Sequence, residues 1–579
     1  MGVRGSAKRR RRRAPSSSAA GASTKGGKSR FPLNRISAAA ADGNVLERES
    51  KRQRASTLSA AAGCDAAGAG VDDVISGLGD DVLVRILELL PDARDAVRTA
   101  ALSRRWRGLW TRLPALHFSS GSLPEFLSAG TGSQRYVSFV NDALALRAAQ
   151  TDPPLHRLEI TFIMRGLLLQ RCFEAAQGWI RHAGRNEVKS FVLVLHPPII
   201  LENKGKKKEQ FVMTLDDLPS SAKMETMRLA LGGATVRLPA AATFASLADL
   251  SLENLEFADG SGRLLNRLLS PVCCPRLRKL SMRNVGFAGV HDLLLEAEAL
   301  VELTWEGIGC HLLYALRLTT PSLRVLRMVN SYLDDLTLSA PRLEELLFFD
   351  SQPISNFDVD GELSCVRSLK FELMSHEPHG DGGQDYDDED IDNVDYDINR
   401  VGIRLLNFCT AATCLDIDLY IAKKQDITED RIPRLPQVTS LTVHATLSEL
   451  HSFGVGIAHI LPQCSNLKYL HIRCTVRKES LKMNFLCDHP DHWRPPHEIY
   501  LPHLKEAEFS GLVGTECELR FIQSMLTSTT QLQKATISFN REYNLTMNRI
   551  NAFERIQMLE GGTWTCDEAY SSLEWKPCL

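Results

Sequence analysis

The sequence predicts an α/β chain in three parts: a disordered tail, a short three-helix module, and an irregular solenoid of repeated strands. Three observations carry this. Residues 1 to 70 are rich in Ala, Ser, Gly, Lys and Arg and nearly empty of large apolar residues, so they cannot offset the entropy of ordering. Between residues 71 and 118, apolar side chains recur at helical spacing. From residue 155 onward a short pattern, apolar-x-x-apolar-x-apolar, returns at steps of roughly twenty to thirty-seven residues, the mark of stacked repeats.

The tail comes first. Lys8, Arg9, Arg10, Arg11, Arg12 and Arg13 form a dense cationic run, and Lys51-Arg52-Gln53-Arg54 a second. Such runs serve as nuclear-import signals or non-specific nucleic-acid tails, or are simply solvated. Import fits best, because no aromatic residue is interleaved with the arginines for base stacking, and nucleic acid is not an expected partner. The expected location is the nucleus, with the cytoplasm second. The 14 cysteines, among them Cys172, Cys273, Cys274 and Cys464, show no framework spacing, as in a reducing compartment. No long apolar run or apolar signal core is present, so no membrane role is expected. The formal net charge of -2 hides basic residues crowded near the start and acids crowded near residue 390.

The helical module opens at Leu78-Gly79-Asp80-Asp81. Leu83, Ile86, Leu87 and Leu90 recur at three- and four-residue spacing and predict one apolar stripe; the two acids suit the first turn, and Pro91 ends the helix. Ala96 to Leu102 has room for two turns. Ser103 then offers an N-cap to a third helix that carries Trp106, Leu109 and Trp110 on one side. So short a module cannot bury two tryptophans and a leucine stripe by itself. Either the helices share the core of the following domain, or they wait for a partner.

The order of Leu78, the Leu83/Ile86/Leu87/Leu90-Pro91 block and Leu102-Ser103-Arg104-Arg105-Trp106-Arg107-Gly108-Leu109-Trp110 resembles the F-box of plant leucine-rich-repeat proteins. The resemblance implies docking on a Skp1-type adaptor, and through it on a cullin, with Leu78, Leu83, Ile86, Leu87, Leu90, Pro91, Leu102, Ser103, Trp106, Leu109 and Trp110 as the contact set. Members usually carry Leu-Pro where this chain has Leu78-Gly79. Glycine costs backbone entropy, so the first helix is expected to be weaker by about 1 kcal/mol or less.

After a stretch read as a linker (119–154), copies of the strand pattern run from Leu155/Leu158/Ile160 through Leu250/Leu252, Leu326/Met328 and Leu470/Ile472 to Leu532/Ala535/Ile537. Each predicts a strand with alternate side chains inward and a return segment that is often helical. A regular leucine-rich repeat would carry Asn or Cys three residues past the last strand leucine. Leu255, Val285, Ile308 and Ser331 stand there instead, so an irregular leucine-rich-repeat solenoid is expected over 155–500. Residues 501–579 close the array and resemble the FBD domain that often ends plant F-box repeat proteins. Stacked strands offer a broad face for a protein substrate. Its outward candidates are Glu302, Glu306, Arg327, Glu345 and Phe349.

Two local clusters receive plain readings. The acid-rich insertion 376–398 repels itself and is expected to be disordered, and Asp387 to Asp397 lacks the central glycine of a calcium loop. Cys487, His489, His492 and His497 match no common structural zinc spacing and read as a surface loop. No metal or cofactor is therefore expected. No phosphate loop, nucleophile elbow, metalloprotease helix or paired cysteines appear, so the chain is not expected to be an enzyme. The expected function is substrate recognition within a Skp1-cullin-F-box ubiquitin ligase. The alternative is a non-catalytic nuclear scaffold or nucleic-acid-associated repeat protein.

Overall fold

The computed structural model describes residues 75, 77–121, 132–150, 153–164, 169–197, 212–214, 221–308, 313–330, 333–349, 354, 356–374, 399–421, 432–447, 455–476, 499–540, 556, 562–566 and 572–577. The cationic runs, the insertion 376–398 and the cluster from Cys487 to His497 lie outside the described residues. The chain forms two compact units. One holds the described residues up to Gly79 together with Val97–Arg107; the other holds Asp80–Ala96 and the described residues from Gly108 onward.

In the smaller unit, the Leu78 amide donates to the Ile75 carbonyl (3.2 Å) and the Leu102 amide to the Thr99 carbonyl (2.9 Å). The Arg105 guanidinium donates to the Leu78 carbonyl. The single third helix expected after Ser103 does not form. Separate 3₁₀ turns occupy Thr99–Ala101 and Arg105–Arg107 here, and Trp110–Arg112 in the larger unit. Gly108 falls between the last two; an interior glycine costs an α-helix about 1 kcal/mol, and short 3₁₀ turns tolerate the break.

The described residues of the larger unit build a sheet of 18 strands. Pairing runs in chain order, all parallel, from Ala115–Ser119 through Arg157–Ile163, Ser190–His196, Thr226–Arg237, Asp249–Phe257 and Lys279–Phe287. It continues through Glu302–Glu306, Val325–Val329, Glu345–Phe349, Ser368–Met374 and Cys414–Ile421. Ser440–Leu447, Tyr469–Val476, Glu506–Leu512 and Lys534–Phe539 complete the run. In register, Leu250, Leu280, Leu303, Leu326, Leu346, Leu369, Leu415, Leu441 and Leu470 form one buried row. Each such leucine contributes about 1.5–3 kcal/mol by leaving water. At the far edge the ladder turns antiparallel: Ser572–Pro577 pairs with Lys534–Phe539, and Gly562–Cys566 with Ser572–Pro577.

Two expectations need correcting. The stretch read as a linker carries the helix Gly132–Ala148, whose Tyr136, Val140, Ala143 and Leu144 are buried. Tyr136 stacks on Phe162 at 5.1 Å between ring centroids and meets Trp179 edge-on at 6.4 Å. The buried residues of the helix recur at 3–4 spacing, but Ser133 and Arg147 are buried on it too, so its apolar stripe is weak in the sequence. The return segments are helical at Leu169–Arg185, Ser261–Leu269, Arg400–Phe408, Val455–Ile460 and Glu516–Thr527, but among the described residues between 290 and 359 none is. There Asp292–Glu296, Ala315–Thr319, Asp335–Ser339 and Asn356–Val359 form a second parallel sheet. An extended return covers the same distance with fewer residues than a helix, which suits the shortest repeats. Among the described residues no helix is long and apolar enough to cross a membrane.

Candidate functional site

The helix Asp80–Glu88 and the residues just after it carry two apolar stripes. At about 100° per residue, Leu83, Leu87 and Leu90 share one side, and Val82, Ile86 and Leu89 another. Leu83 and Leu87 are buried and Leu90 is half-buried; Val82 and Ile86 are exposed, and Leu89 keeps 82% of its surface. The single stripe expected from the spacing is therefore split, and Ile86 belongs to the outer face. The Trp110–Arg112 turn packs on this helix, with Leu109, Trp110 and Leu113 buried. Arg112 lies 3.1 Å from Asp81 and 3.8 Å from Asp80 at the helix start.

The segment just past the helix is pinned to the sheet. The buried Asp92 carboxylate accepts from the Arg94 amide (2.8 Å) and, through its other oxygen, from the Ser119 amide (3.1 Å) on the first strand. His117 Nδ1 lies 2.6 Å from the carbonyl of the exposed Pro91. In the smaller unit Leu78 and Trp106 are half-buried, Ser103 is exposed, and Leu102 keeps 69% of its surface. Leu83, Leu87, Leu109 and Trp110 thus build the interior of the larger unit, on which Ile86 and Pro91 are exposed; Leu102 and Ser103 are exposed on the smaller unit.

The strand face nominated for substrate presents its five candidates in internal pairs. Glu302 lies 2.9 Å from Lys279, Glu306 3.1 Å from Arg283, and Glu345 3.8 Å from Arg327. Lys370 sits over the Phe349 ring at 5.4 Å. Arg228 and Glu253, 3.0 Å apart, extend the same interleaving one strand earlier. Burial pushes the Glu253 carboxyl up, but hydrogen bonds from Arg228 and Ser251 outweigh it and hold the group below the usual carboxylate range. Partly exposed pairs of this kind contribute little energy and mainly keep strands of opposite charge in register.

No family model matches the sequence. Curated relatives do. A putative F-box/LRR-repeat protein of Arabidopsis thaliana is 29% identical over 313 residues, covering 52% of this chain and 66% of the relative. A putative FBD-associated F-box protein of the same plant is 25% identical over 287 residues, covering 48% and 56%. F-box/LRR-repeat protein 13, also from Arabidopsis thaliana, is 24% identical over 512 residues, covering 84% and 95%. The chain's relatives are F-box/FBD/LRR-repeat proteins. The match spans between half and two thirds of the first two relatives' length.

Three features of the F-box-like segment and the repeats are not among the sequence expectations. Val82 and Leu89 complete the outer stripe; both apolar series along the helix are visible once each is counted separately. The polar position of the repeats stands two residues past the last apolar residue of the strand pattern, one earlier than in regular repeats. Asn254, Asn284 and Asn330 occupy it at φ of 50°, 51° and 51°, and Gly307 at 62°. Asn284 donates to Asn254 Oδ1 at 3.1 Å. Asn and Gly are the residues that tolerate this left-handed conformation, so their recurrence at one offset is the available signal. Finally, Asp416, Asp418 and His444 converge on neighbouring strands, which only the register reveals.

Proposed function

We propose that this chain is the substrate-recognition subunit of a Skp1-cullin-F-box ubiquitin ligase. The observation that carries the reading is the outward stripe of Val82, Ile86 and Leu89. An apolar face rimmed by Asp81, Arg85 and Glu88 is the kind of surface that a partner covers. The F-box, FBD and LRR terms in the relatives' names support it. In this role the segment from Leu78 to Trp110 docks a Skp1-type adaptor and through it a cullin. The repeats hold a protein substrate beside the conjugating enzyme, so acceleration comes from proximity and not from side-chain chemistry in this chain. The run from Lys8 to Arg13 serves nuclear import.

The test is capture of a purified Skp1-type adaptor by the full chain. Leu89→Asp and Leu102→Asp, both at exposed positions, should each abolish capture while leaving the circular dichroism spectrum intact. Leu87→Asp is a poor control, since Leu87 is buried and its loss would unfold the helix. Unchanged capture in both exposed variants would overturn the docking reading. Steeply salt-dependent nucleic-acid binding that depends on Lys8 to Arg13 would instead put the scaffold alternative first.

A further inference from the structure

On the strand face, beyond the ion pairs already described, two aspartates and a histidine converge. Asp416 and Asp418 project from the strand Cys414–Ile421, and His444 from its parallel neighbour Ser440–Leu447, where Asp418 and His444 are direct register partners. One donor atom from each of the three lies within 4.8 Å of the other two. His444 Nε2 is 3.1 Å from Asp416 Oδ1. That oxygen is shielded from solvent yet accepts no hydrogen bond, while Lys370 holds its twin, Oδ2, at 3.0 Å. With a proton on Nε2 the two form an ion pair; with Nε2 unprotonated two lone pairs face each other at this distance, and a cation takes the place of that proton.

We propose that Asp416, Asp418 and His444 bind a divalent transition-metal ion of the zinc class. Two carboxylate oxygens and an imidazole nitrogen are the donor set that such ions take. Tetrahedral ligands at about 2.1 Å stand about 3.4 Å apart, so the 3.1 Å between His444 and Asp416 already fits. Strand side chains on a continuous parallel sheet hold that spacing with little reorganisation. Three protein ligands leave a coordination position open on the strand face, where a carboxylate or imidazole of a bound protein would complete the shell. Lys370 opposes the ion by charge and competes for Asp416. His471, whose ring centroid lies 6.5 Å from that of His444, stands next to the site on the following strand.

Equilibrium dialysis of the full chain against Zn²⁺, with Co²⁺ absorbance as a second readout, tests this. Wild type should bind about one more ion per chain than His444→Gln or Asp416→Asn, and the cobalt band should vanish in both variants. The comparison removes any ion held elsewhere, including near Cys487 and His489. Lys370→Met should tighten binding about tenfold by removing a like charge. It leaves all three donors in place, so it also covers the case in which a donor variant fails to fold. Equal metal content in wild type and His444→Gln, or no tightening in Lys370→Met, would overturn the site.

Discussion

Glu518 offers the sharpest stability test. It stands at the third position of the helix Glu516–Thr527, in a capping box with Thr515. Its carboxylate, wholly buried, accepts from the amides of Val513 (3.1 Å), Gly514 (2.6 Å) and Thr515 (2.8 Å), while Thr515 Oγ1 accepts from the Glu518 amide at 3.3 Å. Gly511 and Gly514, at φ of 75° and 88°, coil the chain so that these amides point at one acceptor. Burial pushes the carboxyl above its usual range, against the pull of those donors. Glu518→Ala leaves three amides without their acceptor. At about 1–3 kcal/mol each, eased by water entering the vacated space, the expected cost is about 3–5 kcal/mol. Repeat arrays unfold locally, so hydrogen exchange at the helix amides is the right assay. Protection there should fall by about a hundredfold to a few thousandfold, since about 1.4 kcal/mol is a factor of ten. Protection reduced less than about fivefold would refute the argument that this carboxylate organises the turn.

The same geometry sets four further outcomes. Leu83→Ala, at a fully buried position, should destabilise the Asp80–Glu88 helix by about 2–5 kcal/mol in urea unfolding, whereas Leu89→Ala should change stability by less than about 0.5 kcal/mol. Gly307→Ala would place a Cβ 2.3 Å from Asn284 Oδ1 at a φ of 62° and should cost about 1–3 kcal/mol by thermal melting. Asn284→Ala loses the Asn254 bond and strains the same conformation, at about 1–2 kcal/mol, while Asn284→Gly should cost less than Asn284→Ala. For Arg228→Met the sign runs from Glu253, whose folded-state pKa is depressed: its stabilisation is present above the unfolded carboxylate pKa of about 4.3 and is lost as pH falls through the folded value. The variant should therefore be less stable by about 0.5–1 kcal/mol at pH 7, a difference that a pH series of urea titrations should show closing in acid.

The repeats are legible in the sequence because a strand register multiplies one local signal. Leu250, Leu280, Leu303 and Leu326 sit in a single buried row, so reading any one copy of the pattern locates the next. Two strands are harder to see. Cys414–Ile421 has only Ala412 at the pattern's first apolar position before Leu415 and Ile417, and Ala115–Ser119, where Leu113 precedes Leu116 and Phe118, lies upstream of the array expected from residue 155. The second sheet repeats the same motif at Leu313/Leu316/Leu318 and Leu333/Leu336/Leu338, inside the stretches where a helical return is the ordinary expectation. Tertiary convergence is not legible at all. Asp416 and His444 stand far apart in sequence, and only the pairing of their strands brings them together.

On the proposed reading, strand pairing also limits where a substrate is read. From Arg228 to Glu345 the charges on the strand face already hold opposite partners on adjacent strands. A substrate that relied on them would have to break one pair to form another, with little net gain at an exposed surface. The outward apolar positions carry no such penalty. Val325 and Val329 on one strand register against Glu345 and Phe349 on the next, with Arg327 opposite Leu347 between them. Burying Leu347, Val329 and Phe349 under a partner gains transfer energy without breaking an ion pair, Lys370 already lying over the Phe349 ring, and Phe349 is of the type that anchors hot spots. The flanking Arg327 and Glu345 then act as a rim that rejects a mismatched charge. Specificity therefore rests on the apolar strip first and on the charges second, so Phe349→Ala should weaken substrate capture by the full chain more than Glu306→Ala does. Equal loss in the two variants would return the charges to first place.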